Sequence, residues 1–102
     1  MSFWGCKLAP GETKKVETRE GELLHVSQAC LDPDAGKGSN AKLFVEQGGQ
    51  TYAVAWLREG GQEFCALDLF LDSNEAKLTA KGKASIHVTG YFESEDGDEE
   101  ME

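Results

Sequence analysis

Apolar and polar residues alternate along most of this 102-residue chain, and turn residues interrupt the alternation at short intervals. A period of two is the signature of half-buried strands, and the 3.6-residue period of an amphipathic helix is almost absent. In "SIHVTGYFE", Ile86, Val88 and Phe92 fall on one face and His87, Thr89 and Tyr91 on the other. "FCALDLFLD" places Cys65, Leu67, Leu69 and Leu71 opposite Ala66, Asp68, Phe70 and Asp72. "KLFVEQ" and "TYAVAWL" flank Gly48 and Gly49, which supply the positive-φ residues of a tight hairpin. Further turns are predicted at Gly60-Gly61, at 72–75 and at 81–83, and a longer Asp/Gly/Pro/Ser loop at 31–40. The pattern predicts eight strands, near 3–8, 13–18, 22–31, 41–47, 50–58, 63–71, 75–81 and 84–93. Many short strands with regular turns define an all-β sandwich or barrel, and the connection lengths allow a jelly roll.

The strand at 50–58 departs from the simple pattern. Tyr52, Val54 and Trp56 form one face and Ala53, Ala55 and Leu57 the other, so neither face is polar. An antiparallel strand in a solitary sandwich has one wet face. The second apolar face, with Phe70 on the strand at 63–71, therefore predicts a contact with another subunit through Ala53, Ala55, Leu57 and Phe70.

Charge divides the chain in two. Seven of the nineteen acids, Glu93, Glu95, Asp96, Asp98, Glu99, Glu100 and Glu102, lie in the last ten residues without a base among them. Residues 1–92 hold the other twelve acids against ten bases. The expected organisation is a nearly neutral β domain over 1–92 and an acidic tract from 93 that is too polar to fold. The tract continues from the last strand without a spacer, as though the chain belonged to something longer. Such a body offers no electrostatic reason to bind nucleic acid or an anionic membrane, and the tract repels both. Its natural ligand is a basic protein. No stretch reaches the ~20 apolar residues of a membrane helix, and no signal peptide is legible at the start, which points to a soluble intracellular protein. Cys6, Cys30 and Cys65 are odd in number and lack metal-ligand spacing, so they are expected to be reduced packing residues, with no metal and no cofactor.

Catalytic chemistry is thinly represented. His25 and His87 are the only histidines, both in predicted strands, and Asp68 is an acid among apolar residues. No Ser/His/Asp or Cys/His set has informative spacing, and "DAGKGSN", around Lys37 with Asp32 and Asp34 nearby, lacks the full phosphate-loop pattern. That loop is expected to be a solvated rim element.

Four segments occur in a telling order: "MSFWG", "ELLHVSQACL", "CALDLFLD" and "GKASIHVTGYFESEDGDEE". Together they resemble the nucleoplasmin-like N-terminal domain of nuclear FKBP-type prolyl isomerases, and the plant-type nucleolar proteins described as histone deacetylases. The resemblance covers roughly residues 1–96. It implies an eight-stranded jelly roll that assembles as a ring-shaped pentamer. It also implies core histones as partners of the acidic residues, histone chaperoning as the activity and the nucleus or nucleolus as the location. In the isomerases a catalytic domain follows a long charged linker, and none of that domain is in this sequence. In the plant-type branch the proposed deacetylase residues map to His25 and Asp68, although Ser2 stands where many of those members carry an acid. Amide hydrolysis needs an activated water or nucleophile, so the chain is expected to be no enzyme. The alternatives are a deacetylase and a passive oligomerisation module that works by avidity.

Overall fold

The computed structural model describes residues 2–72 and 76–94. These contain eight strands: β1 Ser2–Leu8, β2 Thr13–Lys15, β3 Glu22–Leu31, β4 Asn40–Gln47, β5 Gln50–Arg58, β6 Phe64–Leu71, β7 Lys77–Gly82 and β8 Ile86–Ser94. They form two four-stranded antiparallel sheets, ordered β1-β8-β3-β6 and β2-β7-β4-β5. Every pairing except the β4–β5 hairpin joins strands distant in sequence, which is the strand order of a jelly roll. Gly48 and Gly49 turn that hairpin with φ of 61° and 83°, a combination that L-residues adopt at a cost.

The core lies between the sheets. Leu8, Leu24, Val26, Leu31, Ile86 and Val88 from one sheet meet Leu43, Val45, Leu57 and Leu78 from the other. Each fully buried aliphatic side chain contributes about 1.5–3 kcal/mol relative to exposure. Most of the predicted strands are found within one or two residues. The second is shorter than its pattern suggests, because Val16 turns inward and bonds through its amide to Ala76. The last runs two residues further than the predicted domain boundary, so Glu93 is paired with Leu23 within β8. The remaining tract acids, Glu95, Asp96, Asp98, Glu99, Glu100 and Glu102, lie outside the described residues.

Two β-bulges change which side chains point inward. In β3 the register shifts between Val26 and Gln28, so Ser27 is the extra residue. Without it, Ala29 and Leu31 would face solvent; with it, both reach the core. In β5 the extra residue is Val54, since Leu43 pairs with Ala55 but Phe44 with Ala53. The three residues assigned to one outer face therefore separate. Leu57 is 0% exposed in the core and Ala55 packs against it, while Ala53 is exposed. Leu57 is thus corrected from a contact residue to a core residue of the single chain.

The cysteines are free, as expected, but only half-buried. Cys6 and Cys65 pack against the core, and Cys30 lies on the outer face beside His87. Burial pushes the Cys6 thiol up from its ordinary value, with nearby Lys14 opposing the shift and Glu12 adding to it, so it is a weak nucleophile at neutral pH.

Candidate functional site

The outer face of the β1-β8-β3-β6 sheet carries the most unusual chemistry. Cross-strand register builds it in rows: Phe3, Tyr91, His25 and Phe70 form one row, and Lys7, His87, Cys30 and Phe64 another. An outer face normally meets water, yet here Phe3 is 76% and Phe70 52% exposed, with Phe64 similarly open. Contiguous exposed apolar surface marks an interaction face.

His25 occupies the middle of the first row and is only 9% exposed. Its ring stacks on Phe70, with centroids 4.5 Å apart at 27°, and meets Tyr91 at 4.7 Å and 60°. Its Nε2 lies 2.6 Å from Oδ1 of Asp68. The 43 positions between them in sequence are bridged by the β3–β6 pairing. With Asp68 ionised, Nε2–H donates to the carboxylate, which leaves Nδ1 as the free acceptor of the neutral ring. That nitrogen is buried and has no hydrogen-bond partner among the described residues.

The two residues that the family resemblance singles out are thus brought together. Their arrangement suits packing better than proton transfer. A general base must approach the proton it takes to within about 3 Å, and the nitrogen not already held by Asp68 is closed off by protein. Asp68 itself is 82% exposed on its side chain, which limits the strength of the pair. Asp68→Asn is therefore expected to cost less than about 1 kcal/mol of stability. His25→Ala, which empties the space between two aromatic rings, is expected to cost about 2–3 kcal/mol. Denaturant titrations at one fixed protein concentration measure both. Equal losses would show that the charge pair, rather than ring packing, holds the site. Neither the parent chain nor the variants are expected to turn over an acetyl-lysine peptide.

His87 lies on the same face, with Nε2 3.8 Å from Oδ1 of Asp32, too far for a hydrogen bond. The 31–40 loop is more organised than expected. Asp32 accepts from the Asp34 amide, Ser39 bonds to Gly36, and Glu59 accepts from the Gly38 amide. Lys37 is exposed at its tip. Among the described residues, no three His, Cys, Asp or Glu side chains are grouped to hold a metal ion.

The described chain is therefore a small jelly-roll domain whose most distinctive surface is a sheet face rather than a deep catalytic cleft. It belongs to the nucleoplasmin-like domain family, whose model matches residues 3–93. It is 36% identical over 92 residues to the histone deacetylase HDT3 of Zea mays, covering 89% of this chain and 30% of that protein. It is 30% identical over 103 residues to FK506-binding protein 4 of Rhizopus delemar, covering 99% of this chain and 26% of that one. The chain thus spans less than a third of these relatives' length. Among solved structures, it resembles the nucleoplasmin-like N-terminal domain of Drosophila FKBP39, with a TM-score of 0.70 and 30% identity over 88% of this chain and 86% of the other. It shares its fold with the Drosophila NLP core, a structure described in terms of pentamer formation and histone binding. That match has a TM-score of 0.72 and 22% identity, covering 92% of this chain and all of the other.

Proposed function

We propose that this chain is the ring-forming, histone-binding module of a nuclear, and specifically nucleolar, histone chaperone. One observation carries the reading. β8 is held by β1 up to Phe92 and by β3 up to Ser94, so the acidic tract starts from a fixed point on a paired sheet. Several copies in a ring would present their tracts together, and tethered contacts gain affinity without any single strong site. The shared fold with the NLP core, a structure described in terms of pentamer formation and histone binding, supports this reading. The module itself performs no deacetylase or isomerase chemistry. In a longer protein, an isomerase domain would stand apart from it.

A closed ring uses two different surface patches on each subunit. The outer face with Phe3 and Phe70 offers one. The edge strand β5 of the other sheet, with exposed Tyr52 and Ala53, offers the other. Light scattering of the chain at micromolar concentration is expected to give about five times 11.1 kDa. Phe3→Asp with Phe70→Asp is expected to give monomers, because two charges would have to be desolvated in the contact. A monomeric parent chain would end the ring model. Core histones titrated against the parent chain test the partner.

A further inference from the structure

The other sheet turns a different surface to solvent. On the outer face of β2-β7-β4-β5, Lys15 stands directly across from Lys77, and Lys81 directly across from Lys42. Like charges placed opposite each other on neighbouring strands destabilise a sheet. Only Glu46, across from Lys77, offers an opposite charge within these rows. Among the described residues the ion pairs are those of the two histidines, and none of these lysines has a carboxylate partner. Two of them rest on aromatic rings instead. The Lys42 ammonium lies 4.8 Å from the Trp56 ring centre and that of Lys81 5.2 Å from Phe44. A chain of net charge −9 has thus gathered on one face four ammonium groups that have no carboxylate partner among the described residues.

We infer that this face is the docking surface for the chain's own acidic tract, residues 95–102. The charges are complementary, and the distance is within reach. β8 ends near Ser2, Arg19 and Glu22, so its last residues emerge beside the segment that follows Lys15. From Ser94, passing the edge strands β1 and β2 to the Lys15–Lys77 pair crosses about two strand spacings and one gap between sheets, roughly 20 Å. Eight extended residues span about 26 Å. A tethered tract faces these lysines at an effective concentration of about a millimolar or more, so weak individual pairs suffice. A duplex nucleic acid offers the same anionic chemistry, but the net charge of the chain opposes it.

The docked tract would act as an internal competitor. A basic partner must displace it, so the lysine face sets how readily the tract is available; this consequence rests on the proposed function, whereas the docking does not. Backbone amide spectra of the 102-residue chain and of a chain ending at Ser94 provide the test. The two are expected to differ at Lys15, Lys42, Lys77 and Lys81, and the differences are expected to collapse in about 0.5 M salt. Replacing the four lysines with glutamine is expected to tighten poly-lysine binding to the 102-residue chain by about three- to tenfold, and by a clearly smaller factor in the shorter chain, where only the net charge changes. Identical amide shifts on this face in the two chains would overturn the docking. So would binding of a DNA duplex to these amides in the shorter chain, which would assign the face to nucleic acid. If poly-lysine fails to bind the 102-residue chain at all, the proposed function fails, while the amide shifts still decide the docking.

Discussion

A chain ending at Ser94 is expected to bind core histones at least about tenfold more weakly than the 102-residue chain at low salt. The truncation removes Glu95, Asp96, Asp98, Glu99, Glu100 and Glu102, and leaves Glu93 in β8. An exposed carboxylate paired with a lysine or arginine is worth about 0.2–1 kcal/mol. A few such pairs per subunit supply the 1.4 kcal/mol of a tenfold change, and a ring multiplies the effect because each later contact is intramolecular. The intact chain should also lose affinity steeply as salt rises, since the screening length falls to about 8 Å at physiological ionic strength. Titrating core histones against both chains at two salt concentrations checks this. Equal affinities with little salt dependence would move the site onto the folded body and leave the tract as a solubilising extension.

The largest expected loss of stability follows from Gly90→Ala, about 3–5 kcal/mol out of the 5–15 that holds a domain of this kind together. Gly90 sits in β8 opposite Val26, next to the β3 bulge, where the two backbones lie close together. A Cβ at this position would lie 2.0 Å from the His25 carbonyl oxygen and 3.0 Å from Val26 Cα. Both are backbone atoms of a central strand, so no rotamer change relieves the clash and β3 and β8 must part. Gly36 provides the control. A Cβ there meets nothing within 4 Å and its φ is not positive, so Gly36→Ala should stay within about 1 kcal/mol of the parent. Urea denaturation at one protein concentration compares the three. A Gly90→Ala chain as stable as the Gly36→Ala chain would show that the strands separate there without cost.

The strands were legible because this fold writes its core as alternation. Ile86 and Val88, and the row from Cys65 to Leu71, point where the period of two puts them. Gly48-Gly49 marked the hairpin for the same local reason. Bulges are invisible to that logic. Ser27 and Val54 each reverse the phase within a strand, and nothing in their side chains announces it. Leu57 was misplaced for this reason, although Gly90, a glycine within a strand pattern, was a usable sign of close backbone approach. The His25–Asp68 pair and the four-lysine face share a different obscurity. Their members come from strands far apart in the chain, and only the sheet order makes them neighbours.

That order also governs what a growing chain can do. β3 is flanked by β6 and β8, both made after it, and β1, made first, pairs only with β8, made last. As the polypeptide leaves the ribosome, the first half of its wider-paired sheet has nothing to bond with. The β4–β5 hairpin is the one pairing that can close locally. β3 waits for β6, complete at Leu71, and β1 waits unpartnered for β8, which ends at Ser94, a long exposure for segments that would readily join strands from another copy.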